Sequence, residues 1–561
     1  MKSLLTLVSA ALLLVACTPT TPVEKPYEPT WSSLEKHEAV PDWMRDAKFG
    51  IYVHWGVYSV PAYGNEQYYY YMHRDSTSKD FLMGGHRRHE QLWGPLEEFG
   101  YHDFIPMFKA ERFDPEAWAT LFKESGAQFA GMVAEHHDGF SMWDSKQTPF
   151  CAAKMGPKRD LVGELSQAIK ARGMKLFLSL HHENNYTYVK VKEHWAANNP
   201  KYEKLYGCLM EHDEWLEMWL NKGREVIDQY SPDIIYFDAW MDQIPDSLKR
   251  EFLAHYFNHA EAEQKEVVVT FKYEELPRTI CMLDHEMHAP TQIDPEPWLS
   301  DLTISDGYHR SWGYVKGMEL LTHQEIIQHL VRVVSNNGRL LLNLSPMADG
   351  TIPQNQQDVV QNVGVWLWSY GESIYGTRPF SVSGESASGF QVHYTQKDDA
   401  LYAIFLDWPG QGTTVDLTAV TPASLGGRKV KQATLLSVKK NILFLNKELK
   451  AVIFLSKILK KNTLRFSCRL LHIINEKLFK ITCNYPPGAH RIRKSRRISL
   501  CLLKRSKHRS ISLLDRATKI SSSLFLFNKN VSFRDMSIDE AHVIKLYTLF
   551  KINYFFRLIN T

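Results

Sequence analysis

Three segments decide the fold: QFAGMVAE at residues 128–135, DLVGELSQAIKA at 160–171 and MKLFLSL at 174–180. The outer two are short apolar runs of strand length. The middle one opens on Asp160, repeats its apolar residues with helical period, and is closed by Gly173. A strand, a helix and a second strand in that order form a crossover unit, so the two strands should lie parallel.

The same rhythm continues in both directions. Upstream, Phe49–His54 reads as a strand and Asp114–Ser125 as a helix, with Asp114-Pro115 supplying a cap and a first-turn proline. Downstream come a helix at Asp213–Tyr230, a strand at Asp233–Asp238, a helix at Leu248–Ala260 and a strand at Glu266–Phe271. A weak strand at Thr279–Leu283, a helix at Gln324–Ser335 and a strand at Arg339–Leu344 follow. Seven or eight strands alternating with helices over roughly 300 residues predict an α/β fold of the irregular (β/α)8-like barrel type. A doubly wound open sheet is the alternative, but no GxGxxG follows the first strand. After a helix at Gln354–Ser369, short runs at Phe390–Tyr394, Ala400–Phe405 and Thr434–Leu436 are broken by turn residues. They predict a small C-terminal antiparallel β-sandwich.

The composition is ordinary for a soluble globular protein: 561 residues, 44% hydrophobic and 23% charged. Seven cysteines without a CxxC support neither a disulfide scaffold nor a zinc ribbon. The net charge of +3 hides an asymmetry. Residues 456–561 carry 23 Lys and Arg against 5 Asp and Glu, while all 15 Trp lie upstream. This basic tail, with Arg491–Arg497 and Lys504–Arg509, is read as chain outside the ancestral reading frame rather than a folded domain. Nucleic acid is not an expected partner, because no aromatics are interleaved with the basic runs.

The N-terminus is an address. Met1-Lys2 precedes an apolar run to Val15, too short to span a membrane as a mature helix, and Leu14-Val15-Ala16-Cys17 resembles a bacterial lipobox. Residues 1–17 are therefore expected to be a lipoprotein-type signal peptide with Cys17 lipidated, and 18–30 a Thr/Pro-rich tether. The protein would be exported and lipid-anchored to a membrane at the cell envelope. The barrel is assigned to 31–370 and the sandwich, possibly incomplete, to 371–455. Oligomeric state is not legible.

Polar chemistry gathers where such a barrel puts its active site, at the C-terminal ends of the strands. His54, Glu135-His136-His137-Asp138, His181-His182-Glu183, Asp238 and Glu286 all fall at or just past strand ends. Asp238 and Glu286 offer the carboxylate pair that glycoside hydrolysis requires. A zinc site is disfavoured: adjacent histidines on a strand point to opposite faces, and HExxH is absent. No metal or cofactor is expected. Tyr68 to Tyr71, Trp298 and Trp312 could stack on a sugar or simply pack in the core.

These motifs resemble glycoside hydrolase family 29, the retaining α-L-fucosidases. The resemblance rests on Phe49–Gly56, Gly64-Asn65-Glu66, His136–Phe140, Gly156–Leu165, Ser311–Tyr314 and Asn336–Asn343, in the family's order over roughly residues 31–445. It implies a retaining exo-acting enzyme that hydrolyses terminal α-L-fucosides of glycans. It implies Asp238 as nucleophile and Glu286, twelve residues before Trp298, as acid/base, with Glu274, Glu275 and Glu296 as rivals. It also implies sugar contacts at His54, Glu66, His136, His137, Tyr236 and Lys272, and at Trp312 beside the C6 methyl. Gln67, Tyr236 and Leu299 depart from residues common in the family. A related exo-glycosidase such as an α-L-galactosidase, or an inactive glycan-binding surface lipoprotein, would share many of these features.

Overall fold

The computed structural model describes residues 26–74, 85–273, 275–307, 310–410, 413–436 and 440–441. The signal peptide with Cys17, most of the tether, Glu274, the sandwich beyond 441 and the basic tail lie outside the described residues.

Helices start where local side chains satisfy their first amides. Asp114 accepts from the Ala117 amide at 3.0 Å and opens Pro115–Glu124. Asp160 accepts from the Gly163 amide at 2.8 Å and opens Leu161–Ala171. Thr322 and Glu325 form a reciprocal capping box on His323–Ser335.

Eight strands form one parallel sheet: β1 (Phe49–Val53), β2 (Phe129–Glu135), β3 (Lys175–Leu180), β4 (Ile234–Phe237), β5 (Val268–Phe271), β6 (Met282–Leu283), β7 (Trp298–Thr303) and β8 (Gly338–Leu344). The spatial order is β6-β5-β4-β3-β2-β1-β8-β7, which brings the first strand against the last. Closure between β6 and β7 rests on a single parallel bridge, Asp284 to Leu299, extended by the His285 amide donating to the Leu299 carbonyl at 2.8 Å. The barrel is therefore nearly closed, with its thinnest seam at β6.

Strands covered on both faces read as nearly continuous apolar runs. Tyr52, Phe177, Ile234, Tyr236, Val268, Met282, Leu299 and Leu341 pack together inside the barrel. Their neighbours Ile51, Val53, Leu176, Ile235 and Val269 pack outward in the larger core. Gly131 belongs to the close strand contact: a Cβ there would sit 1.5 Å from the Phe177 carbonyl oxygen.

The sequence reading missed β7. WLSDLT alternates no clean apolar run, yet all six residues are buried, because Ser300, Asp301 and Thr303 find polar partners inside the fold. It also missed β9 (Arg378–Ala387), which joins β10 (Phe390–Lys397) and β11 (Ala400–Phe405) in a three-stranded antiparallel sheet ordered β11-β10-β9. A short pair, β12 (Thr434–Leu435) with β13 (Lys440–Asn441), follows. This part has its own core of Phe380, Val392, Tyr394, Phe405, Val415 and Leu417. It meets the barrel through the Ser335 hydroxyl and His393 Nδ1, 3.0 Å apart.

Candidate active site

Side chains along a strand alternate faces, so the residue two beyond an inward-facing one also faces in. Two residues past Tyr52 is His54; past Tyr236, Asp238; past Thr270, Lys272. Past Met282 is Asp284; past Leu299, Asp301; past Leu341, Asn343. An apolar layer is thus topped by a polar one, and the polar layer is the site.

Lys272 stands at its centre. Its Nζ lies 2.7 Å from Asp238 Oδ1, 3.1 Å from Glu286 Oε2 and 3.7 Å from Asp301 Oδ2. The first two contacts bound the separation of those carboxylate oxygens at about 6 Å, shorter than the roughly 6.5–9.5 Å of inverting glycosidases and compatible with the roughly 5–5.5 Å of retaining ones. Burial alone would raise the Asp238 pKa; the Lys272 charge, with the His181 and His137 ring nitrogens each 3.4 Å away, reverses this and holds it well below the carboxylate range. Glu286 goes the other way. Burial, assisted by the charges of Asp301 and Asp238 and opposed by Lys272, pushes it up to about 7.

Three of the site histidines are held toward the neutral form. Burial drives His54 and His136 well below the ordinary imidazole value and lowers His181 as well. Asn343 Nδ2 donates to the Trp312 carbonyl at 2.7 Å, which turns its Oδ1 toward His54. That oxygen accepts from His54 Nδ1 at 2.8 Å, leaving Nε2 as the acceptor nitrogen. The His54 and Trp312 rings lie 5.4 Å apart. Glu66 Oε2 accepts from the Trp312 amide at 2.8 Å and the Gly313 amide at 3.3 Å, anchoring the loop that carries Trp312.

His136 and His137 do not point to opposite faces. Strand β2 ends at Glu135, and the ladder to β3 shifts register between Val133 and Glu135, so both rings turn to the site, 4.5 Å apart. Donor atoms of His54, His136 and His181 consequently lie within 4.8 Å of one another, as do those of His137, His181 and Asp238. Both sets have the reach for an ion. The Lys272 ammonium against Asp238, however, already supplies the cation to that carboxylate.

Other candidates go elsewhere. Glu135 is turned toward the helices and paired with Lys222 at 2.7 Å. Asp138 accepts from the Tyr101 hydroxyl and the Phe140 amide. His182 stacks on Trp219. Glu183 is buried and pushed well above the carboxylate range by burial and then by the charge of Asp238. Tyr236 lies one layer beneath the pocket, its hydroxyl 3.1 Å from Asp284 and 3.2 Å from Asp301, so it supports the site from below. Trp298 is a wall residue whose indole donates to the Asn336 carbonyl at 2.8 Å, and Tyr68 and Tyr69 are core. Glu275 accepts from the Trp240 and Met241 amides at 3.1 and 2.8 Å and Glu296 is exposed, so of the three described glutamates Glu286 is the one beside Lys272.

The sequence reading did not assign Asp284, Asp301, Asn343 or Tyr188 to the site. The first three were signalled by period-two spacing once their strands were known. Tyr188, whose ring lies 4.5 Å from His137, comes from a loop and carries no such signal.

Comparison with known proteins accounts for this arrangement. The α-L-fucosidase family model matches residues 14–372, and the model of the α-L-fucosidase C-terminal domain matches 387–471, which runs past the end set at Leu455 for the sandwich. Tissue α-L-fucosidase of Rattus norvegicus is 34% identical over 400 residues, covering 69% of this chain and 80% of the relative. That of Bos taurus is 32% identical over 462 residues, covering 78% and 89%. The crystal structure of Thermotoga maritima α-fucosidase in complex with fucose is similar with a TM-score of 0.61 at 27% identity, over 75% of this chain and 94% of that one. With one family model spanning the barrel and a second spanning the sheet behind it, the chain belongs to the α-L-fucosidase family, family 29 of the glycoside hydrolases.

Proposed function

We propose that this α-L-fucosidase cleaves terminal fucose from glycans by double displacement, with Asp238 as nucleophile and Glu286 as acid/base. The observation that carries the assignment is the single lysine bridging both carboxylates at 2.7 and 3.1 Å. It fixes their spacing and favours the anion at both, while burial and the charges of Asp301 and Asp238 keep Glu286 raised against it. Asp238 is an anion at any working pH and is free to attack the anomeric carbon. Glu286, pushed up to about 7, keeps a proton to give to the departing oxygen. Once Asp238 is esterified its charge is gone. One cause of the raised Glu286 pKa goes with it, so Glu286 becomes the better base for the incoming water just when one is needed.

His54 and His136, kept neutral by burial, together with His137 and Glu66, offer donors and acceptors to the sugar hydroxyls. Trp312 offers an apolar face to the C6 methyl. The polar layer is otherwise closed by buried residues, which suits a terminal sugar rather than a chain running through.

Asp238→Ala should lose several orders of magnitude in kcat while retaining its fold, and a 2-fluoro-fucosyl inactivator should label the peptide holding Asp238. Labelling on another peptide would refute the assignment.

Export and membrane anchoring belong to the same reading. Leu14–Cys17 has the lipobox pattern and 18–30 the composition of a tether. An anchored exo-fucosidase would meet glycans outside the cytoplasm.

A further inference from the structure

Exposed aromatic side chains carry information when they gather beside a site rather than stand singly on the surface. Among the described residues, Trp240 is 39% and Tyr273 69% exposed, and both stand within two residues of a charged group of the site. Trp240 follows Asp238 by two positions and Tyr273 follows Lys272 directly. Each sits in the left-handed region, Trp240 at φ 76° and Tyr273 at φ 55°, a conformation that costs a non-glycine residue strain and persists only where surroundings hold it.

The surroundings are visible. Glu275, from the loop that carries Tyr273, accepts hydrogen bonds from the Trp240 amide at 3.1 Å and the Met241 amide at 2.8 Å. The loops after β4 and β5 are thereby clasped, and the two aromatics are held beside the same opening. The Trp240 ring meets His137 edge-on with centroids 5.2 Å apart, and His137 is 3.4 Å from Asp238. Tyr273 follows Lys272, whose ammonium is 3.1 Å from Glu286.

The proposed fucose contacts His54, His136 and Glu66 are all buried, whereas Trp240 and Tyr273 are exposed and adjoin His137 and Lys272, on the solvent side of that pocket. In an exo-acting enzyme the one part of the substrate at the mouth is the leaving group. We infer that Trp240 and Tyr273, clasped by Glu275, form a leaving-group subsite that stacks on the apolar face of the pyranose to which fucose is attached. This rests on the assignment of Asp238 and Glu286 above. The sugar it takes is an uncharged hexose or N-acetylhexosamine, bound through C–H faces rather than through ion pairs, and Glu275 is a positioning residue.

The test separates the two sides of the scissile bond. α-L-Fucosyl fluoride fills the fucose pocket, places no sugar at the mouth and needs little help from an acid. It is compared with whichever fucosyl-galactose or fucosyl-N-acetylglucosamine disaccharide the unaltered enzyme cleaves fastest. Trp240→Ala and Tyr273→Ala should each lose about tenfold in kcat/KM on the disaccharide and keep the fluoride rate. Tyr273→Phe, which retains the ring, should keep both, and Glu275→Ala should repeat the disaccharide-only loss. Equal losses on both substrates would put these residues in the fucose pocket or the scaffold and overturn the subsite. So would unchanged disaccharide rates in the two alanine variants. An unaltered enzyme inactive on the fluoride would instead indict the assignment of Asp238 and Glu286.

Discussion

Replacing Lys272 by methionine keeps most of the length of the side chain and removes the only cation in contact with both Asp238 and Glu286 among the described residues. At 2.7 Å and an effective dielectric constant of about 20, the Lys272–Asp238 attraction is about 6 kcal/mol before desolvation is counted. Removing one member of such a buried pair typically costs about 3–5 kcal/mol, because the remaining charge is stranded. His137 and His181 stay 3.4 Å from Asp238 and soften the loss. The sign is the same at both acids. Lys272 lowers the pKa of Asp238 and that of Glu286, so its loss raises both. The acid limb of the kcat/KM profile, set by Asp238, climbs from below the carboxylate range into measurable pH. The alkaline limb, set by Glu286 near 7 in the unaltered enzyme, moves higher. The whole bell shifts to alkaline pH and its height drops by about 10²–10³-fold, the usual cost of removing one preorganised electrostatic partner. The assay is kcat/KM on nitrophenyl α-L-fucoside across the stable pH range, with Lys272→Arg as the charge-retaining control. A folded Lys272→Met enzyme whose two limbs stay in place would refute the claim that this lysine sets both charge states.

Three further outcomes follow from the same geometry. Glu286→Ala should lose about 10²–10⁴-fold on substrates with poor leaving groups, show no alkaline limb near 7 and recover with azide; rescue of Glu274→Ala, Glu275→Ala or Glu296→Ala instead would mean the wrong acid was chosen. Cys17→Ser should move the protein from the membrane to the soluble fraction or block processing, and unchanged fractionation would count against lipidation. Truncation after Leu471, where the C-terminal family match ends, should leave fucosidase activity largely intact, and loss of activity in a folded truncation would show that the basic tail belongs to the enzyme.

Much of the fold was legible because its signals are local. Asp114-Pro115 and Asp160 mark helix starts by bonding amides three residues on, and a run such as Leu176 to Leu180 has few ways to be buried other than as a covered strand. Trp298–Thr303 defeated that reasoning. Its polar residues look like loop, and only the partners waiting inside the barrel, such as Asp284 Oδ1 for the Asp301 amide at 2.9 Å, make a buried strand affordable. Adjacent His136 and His137 likewise obeyed the end of β2 rather than the alternation of an uninterrupted strand.

The sequence by itself determined that strands and helices alternate, that carboxylates and histidines cluster at strand ends, and that Asp238 closes an apolar run. These depend on neighbours along the chain. Which glutamate stands beside Lys272 did not. Glu275 and Glu286 lie eleven residues apart in the same stretch, yet one is spent on the Trp240 and Met241 amides while the other is held 3.1 Å from Lys272. Tertiary structure decided that, and with it the charge of each group. Coulomb interactions act through space, strengthen as water is excluded, and are set by distances of a few ångströms between residues far apart in the chain.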